Sequence, residues 1–344
     1  MTEDIALTAK IKQGAIKSGY SACGVIAASA FSEYIEYLDK RINSFPGSEE
    51  LYRPLFSLAV QPENAESIIV CIRGYNRYSI PESLKGMIGK CYMFDGRLSY
   101  SQESRAKSEF SEYLKILGIE IIQSGVPARW AAAKAGLVKF GRNNFVYTEK
   151  YGSYIWIDTW VTDKKLEYNV LSLPEDMLLP NCEDGCMKCV KACPTGALAE
   201  SLSMDRERCA AHLTFYAEEA PDKDLLNQMG LWIYGCDDCQ DACPANSDIS
   251  AGKTDFPLLT EYVEYLKPER ILEMDEETYT GIIYPRFWYA GEDGLWLWKC
   301  NALRVMINSR EKKYHALIIK SINHKDERIR KVALIGIDIL GIEQ

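Results

Sequence analysis

The chain has 344 residues, of which 47% are hydrophobic and 26% charged, with 40 Lys and Arg against 49 Asp and Glu. That length exceeds one ordinary hydrophobic core, so two or three domains are expected. The net charge of −9 and a pI near 5.2 exclude a general attraction to a phosphate backbone, leaving only local patches for such contacts.

The first part alternates helical and strand patterns. Residues 5–16 and 31–42 carry helical periodicity, and Glu66 to Arg73 reads as a strand. A helix over 104–117 would place Phe110, Tyr113, Leu114 and Leu117 on one face. The run Ile119-Glu-Ile-Ile-Gln is strand-like. Pro127 opens an Ala-rich helix that Gly136 ends, and Tyr154 to Val161 alternates as a strand. The pattern predicts a layered α/β (α+β) domain over 1–172. A loop-rich, cysteine-crowded segment follows over 173–255. The remainder, 256–344, carries helical periodicity at 295–307, 314–322 and 328–340, with Asp326 placed to cap the last helix. This paired-helix tail reads as a short HEAT-like stub, which must pack on the rest of the protein because a free solenoid needs more repeats.

The start, Met1-Thr-Glu-Asp-Ile, lacks the basic and apolar segments of a secretory signal, and no stretch has the roughly 18 apolar residues of a membrane span. A cytoplasmic protein with no membrane association is expected. Twelve cysteines then need an explanation other than disulfides, which rarely persist in that compartment.

Spacing supplies one. The first run is Cys182-Glu-Asp-Gly-Cys186-Met-Lys-Cys189-Val-Lys-Ala-Cys193-Pro194; the second is Cys236-Asp-Asp-Cys239-Gln-Asp-Ala-Cys243-Pro244, and Cys209 lies between. Short gaps let a tight loop aim successive thiolates at one cluster, and the cysteine before Pro crosses to the other cluster in two-cluster ferredoxins. That rule groups Cys182, Cys186, Cys189 and Cys243 around one 4Fe–4S cluster. Cys193, Cys236 and Cys239 serve the other, with Cys209 the cysteine left to complete it. Three residues rather than two separate Cys182 from Cys186, and Gly185 can absorb the extra one. Two four-cysteine zinc sites would satisfy the same count; the Cys-Pro endings and the three-ligand run favour iron–sulfur. Cys23, Cys71, Cys91 and Cys300 sit in apolar contexts and read as small core residues. His212, His315 and His324 show no metal spacing.

With both cysteine runs in view, the chain resembles the epoxyqueuosine reductases and, more distantly, the cobalamin-dependent reductive dehalogenases. Cys193-Pro-Thr-Gly-Ala-Leu, Met204-Asp-Arg-Glu-Arg-Cys209 and Tyr234-Gly-Cys-Asp-Asp-Cys239-Gln carry the likeness in the cysteine region. Ala135-Gly-Leu, Gly141-Arg-Asn, Tyr151-Gly-Ser and Val161-Thr-Asp carry it upstream, and Asn301-Ala-Leu-Arg downstream. The resemblance implies a base-off cobalamin held between the α/β domain and a ferredoxin-like double-cluster domain, with electrons passing through the clusters to cobalt. It implies corrin contacts from Arg142, Asn143, Asn144, Gly152, Ser153 and Tyr154. It also implies an electron donor such as ferredoxin or flavodoxin, and a role in queuosine biosynthesis, reducing epoxyqueuosine in tRNA to queuosine. Residues 301–344 hold nine Lys or Arg against five Asp or Glu, so these helices are a candidate tRNA contact.

One departure stands out. The family carries an Asp shortly before the Ala-Gly-Leu helix, and Ile122 or Ser124 falls there; residues 121–148 contain no Asp or Glu. Glu120 is the nearest carboxylate. Ser124, Tyr92 and Tyr100 are the substitute proton donors within reach of the pattern, the tyrosines flanking the turn at Phe94 to Arg97. Two other readings stay open: a dehalogenase-like reductase of a small molecule, and a non-catalytic double-cluster electron carrier.

Overall fold

The computed structural model describes residues 3–29, 31–94, 101–169, 177–199, 203–287 and 289–342. Tyr100 and the turn at 95–97 lie outside the described residues. The N-terminal part is built on a three-stranded antiparallel sheet of order β1-β2-β5, with β1 at Ala22–Ala27, β2 at Ser67–Gly74 and β5 at Ile155–Thr162. The central strand has no polar face to show to water: Ser67 to Arg73 are all buried. Both faces are therefore covered by helices. On one side, α1 (Glu3–Lys17) and α3 (Gln102–Ile116) bring Ile11, Ala15, Phe110 and Leu114 against Val25, Ile69, Cys71 and Trp160. On the other, α2 (Ser32–Ser44) and α4 (Ala128–Lys134) bring Tyr34, Leu38 and Ala131 to Ala133 against Ile26, Ile68, Val70 and Ile72. This second face, continued by the hairpin of β3 (Lys139–Phe140) and β4 (Val146–Tyr147), is the one turned towards the cysteine region.

The strand read at 119–123 does not form. Only Ile122 pairs, its N–H donating to the Val161 carbonyl at 2.8 Å. Gly118 takes a left-handed turn immediately before it (φ +75°), and Pro127, which has no N–H for a ladder, follows soon after. Strand β1 is the converse case, an edge strand that the sequence reading did not contain.

The cysteine region is made of short helices, including α5 (Lys188–Ala192), α6 (Ala210–Tyr216), α7 (Lys223–Gln228) and α8 (Asp238–Asp241), with α5 packed on α8. Three C-terminal helices follow: α9 (Leu295–Ser309), α10 (His315–Ser321) and α11 (Glu327–Leu340). Asp326 caps α11, its side chain accepting from the Arg328 N–H at 2.9 Å. The apolar core does not divide at residues 172 and 255. One cluster joins Tyr75, Ile88 and Phe94 to Ile233, Tyr234, Phe256 and Trp298, so early, middle and late segments share it. Among the described residues no helix is long and apolar enough to cross a membrane.

Candidate iron–sulfur and cofactor site

Cys182 sits on the helical turn Pro180–Glu183, which Gly185 reverses with φ +85°, a conformation glycine adopts without steric cost. The turn returns the Cys186 N–H to the Asn181 carbonyl at 3.1 Å, and Cys189 follows on α5. Cys243, just past α8, joins them: Cys182, Cys186, Cys189 and Cys243 line one small pocket. These thiols surround a void. Arg142 closes one side, its backbone N–H lying 3.4 Å from the Cys182 sulfur and its guanidinium donating to the carbonyls of Cys182 (2.8 Å) and Cys186 (3.0 Å).

The other four cysteines act on one another in pairs. Burial raises the Cys239 thiol pKa, and Cys209 and Cys193 stand near enough to raise it further; Cys209 in turn is raised by burial and by Cys193. Cys236 is pushed up by burial, then by Asp238 and Cys239. Cys189 of the first set also acts on Cys239, so the two sets adjoin. Neutral thiols in these positions must release protons to become metal ligands, so metal uptake would be coupled to proton release.

Two devices hold the loops that carry these cysteines. The segment 87–90 pairs with 233–237: Ile88 bridges Tyr234, and Lys90 donates its backbone N–H (2.7 Å) and side chain (3.3 Å) to buried Asp237 and reaches Asp241 at 2.5 Å. On the far side, α9 presents Asn301, Arg304 and Asn308, spaced to share one helix face. Asn301 donates to the Thr214 carbonyl at 3.1 Å, Asn308 to Leu226 (2.9 Å) and Gly230 (3.0 Å), and fully buried Arg304 to Gly230 (2.9 Å) and Trp232. Burial lowers the Arg304 pKa to about 10. These contacts give the Asn301-Ala-Leu-Arg motif a physical role: its polar stripe clamps the turn leading into Cys236.

The segments read as corrin contacts divide by what they touch. Asn143 donates to the Tyr147 hydroxyl (2.9 Å) and the Cys239 carbonyl (3.0 Å). Gly152 has φ +53°, and a Cβ there would stand 2.1 Å from Asn246 Oδ1. The Ser153 N–H donates to that same oxygen at 2.9 Å, and its hydroxyl to Gln240 at 2.8 Å. Arg142, Asn143, Gly152 and Ser153 thus hold the cysteine loops directly. Tyr154 lines a separate small pocket with Tyr75, Tyr78, Lys90 and Phe94. Asn144 keeps an amide nitrogen that is buried and has no partner among the described residues.

Of the substitute proton donors, Ser124 is committed to Gln61, donating at 2.9 Å. Ile122 is half-buried against the second sheet face, and Glu120 is exposed. Tyr92 packs edge-on against Phe215 and Tyr234, with its pKa raised well above the ordinary range by burial first. Arg41 and Arg129, which the sequence reading passed over, meet at Asn144, and Arg41 and Arg206 flank the Tyr52 ring. Single arginines in amphipathic or loop contexts carry no signal that distinguishes them from solvated ones.

These features define an iron–sulfur protein whose cysteine region packs directly on an α/β domain. The family described as a 4Fe-4S double cluster binding domain matches residues 181–246. In sequence the chain is similar to the epoxyqueuosine reductase of Cyclobacterium marinum, 28% identical across 69% of this chain and 78% of that one. It is similarly related to that of Staphylococcus aureus, 29% identical across 77% and 71%. In fold it matches an epoxyqueuosine reductase crystallised with an epoxyqueuosine-modified tRNA stem loop, at a TM-score of 0.74 and 22% identity over 98% of this chain and 90% of that chain. The chain is epoxyqueuosine reductase-like in sequence and in fold.

Proposed function

We infer that this protein is a cobalamin- and iron–sulfur-dependent reductase that acts on epoxyqueuosine in tRNA. The observation that carries the reading is the crossing of the cysteine runs: Cys243 of the second run lines a cavity with three cysteines of the first. We propose that Cys182, Cys186, Cys189 and Cys243 ligate one 4Fe–4S cluster and that Cys193, Cys209, Cys236 and Cys239 ligate the other. The donor set fits, because eight thiols in two adjoining groups match two cubanes with a short electron path between them.

For cobalamin the supporting observation is the buried, orphaned Asn144 amide, whose side-chain oxygen and carbonyl accept from Arg41 and Arg129. When bound, the corrinoid would supply a strongly reducing cobalt centre. The chain's own residues would position it, with Asn144 and Tyr154 the candidates from the α/β domain. Arg142 and Asn143 hold the cluster loops, so their part in cofactor binding is indirect. No carboxylate occupies 121–148, so proton delivery falls to a group other than an acid at that position, with water the simplest source.

The finer readings go with this function. The three C-terminal helices are read as a HEAT-like stub, a ferredoxin or flavodoxin as the electron donor, and the cytoplasm as the compartment. The basic surplus of 301–344 is smaller in space than in sequence, since Arg304 is fully buried and Arg328 is paired with Asp326 and stacked 3.7 Å from the Trp296 ring. The test is anaerobic reconstitution with iron, sulfide and cobalamin, followed by assay on epoxyqueuosine-containing tRNA. Turnover to queuosine supports the reading; a cluster-replete, corrinoid-bound protein without turnover removes the tRNA substrate.

A further inference from the structure

Cys23, Cys71, Cys91 and Cys300 stand outside the two proposed ligand groups, and all are free thiols. Cys91 packs in the core shared with Tyr75 and Tyr234, and Cys300 in the core of the C-terminal helices. Cys23 and Cys71 meet. They are register partners on β1 and β2, so both side chains leave the sheet on the face covered by α1 and α3.

Antiparallel partners alternate between two geometries, and the difference decides whether a pair can be bridged. The Ala28 N–H donates to the Glu66 carbonyl at 3.1 Å, which fixes the phase of the ladder. In that phase the partners Ile26 and Ile68, Gly24 and Val70, and Ala22 and Ile72 exchange hydrogen bonds; Cys23 and Cys71 do not. Asn169 agrees with this. Val25, two residues along from Cys23, accepts from the Asn169 N–H at 2.8 Å and donates to its side-chain oxygen at 3.1 Å, away from β2. Partners in a non-hydrogen-bonded pair have Cα atoms about 4.5 Å apart. That separation falls within the roughly 4.4–6.8 Å that a disulfide spans. The thiols also hydrogen-bond to one another; burial first, and then this bond, holds the Cys71 thiol well above the ordinary thiol range.

The two sulfurs differ in access. Cys71 is fully buried on the central strand, whereas Cys23 is half-buried on an edge strand. Beside the pair, Ser21 and Arg73 line a polar pocket with Arg77 and Lys150. A small polar oxidant therefore reaches Cys23 first and meets Cys71 only behind it.

We propose that Cys23 and Cys71 form a redox-active dithiol, in which Cys23 reacts with a peroxide and Cys71 resolves the product as a cross-strand disulfide. In the first step an S–O bond forms at Cys23 and the O–O bond of hydrogen peroxide breaks, giving a sulfenic acid and water. In the second, the Cys71 sulfur attacks the Cys23 sulfur. The S–S bond forms, the S–O bond breaks, and hydroxide leaves with the Cys71 proton as a second water. The thiol pair loses two electrons and the peroxide gains them. A dithiol reductant reverses the change. The bond fastens the edge strand and closes a loop over 24–70 that contains α2. Transient disulfides of this kind are the ones that reducing compartments carry. The inference is independent of the function proposed above.

The test treats anaerobically purified, cluster-replete protein with graded hydrogen peroxide, blocks the remaining thiols in acid, and maps the peptides by mass spectrometry. The expected result is a fragment linked through Cys23 and Cys71, two hydrogens lighter than the free pair, that appears before bonds among the cluster cysteines. Dithiothreitol should return both thiols. Cys71→Ala should stop at a Cys23 sulfenic acid that dimedone labels, and Cys23→Ser should leave Cys71 reduced. Circular dichroism and iron content check that both variants fold. Free Cys23 and Cys71 in wild-type protein whose cluster cysteines have already oxidised would overturn the proposal. So would a folded Cys71→Ala protein whose Cys23 takes no dimedone.

Discussion

The cysteine region and the C-terminal helices lie side by side and are held together by different means. Residues 181–246 contain helices of four to seven residues, and four of the cysteines there line one pocket. Helices that short are marginal on propensity alone, so their order must come from outside the segment. The helices α9 and α11, of 15 and 14 residues, enclose a core of Leu303, Met306, Ile307, Ile318, Val332 and Ala333. There, apolar burial is sufficient. The difference teaches that α9 does two tasks at once: its apolar face builds its own core, while its Asn301, Arg304 and Asn308 stripe lends order to a neighbour that cannot supply it.

Removal of metal should separate the two regions most sharply. Anaerobic chelation is expected to abolish amide hydrogen-exchange protection across 181–246 while α9 and α11 keep theirs. Equal loss in both would show that they fold as one unit. Leu303→Ala attacks the other side of the comparison. Leu303 is completely buried, and its truncation should cost about 2–5 kcal/mol in global unfolding while iron content is unchanged.

A smaller effect is expected where the sheet domain meets the cysteine loops. Gly152→Ala places a Cβ in a left-handed conformation and against Asn246 Oδ1, which should lower stability by about 1–3 kcal/mol. The readout is the thermal midpoint together with cluster absorbance.

The smallest is a pH effect. Burial first, then Arg206, lowers the His212 pKa from 6.5 to about 4. The folded state therefore holds this imidazole neutral, while the unfolded chain takes up its proton. The resulting stability is fully present above pH 6.5 and is lost as pH falls towards 4. His212→Gln should flatten the dependence in that window, measured by denaturant titration at fixed pH values. An unchanged slope would mean that His212 is solvated.

Much of the fold could be read in advance because it is periodic. The helices at 3–17, 32–44, 102–116 and 295–309 and the strands at 67–74 and 155–162 all announce themselves by the spacing of apolar residues. Strand β1, Ala22-Cys-Gly-Val-Ile-Ala, is too short and too small-residue-rich for such a signal, and pairing with β2 decides it. The strand expected at 119–123 failed for the opposite reason, since its residues suit a strand but its flanking turns leave only one of them opposite β5. The two cysteine runs were legible because ligand spacing is local, and Cys243 of the second shares a pocket with three cysteines of the first. The grouping of Arg41, Arg129 and Arg206 was not, because they come from three separate segments and only tertiary structure joins them. Arg142, Asn143 and Ser153, which the resemblance assigns to the corrin, also bind the loops that carry the cysteines, and these contacts between distant segments leave no local signal.

The central claim is the crossed ligation of two clusters, and iron and sulfide content of anaerobically prepared single and double variants tests it most directly. Cys243→Ser and Cys189→Ser should each lose about half the iron, and the pair together should lose no more. Cys243→Ser combined with Cys209→Ser should lose nearly all of it. Full iron in Cys209→Ser, or zinc in place of iron in the wild-type protein, would contradict the arrangement.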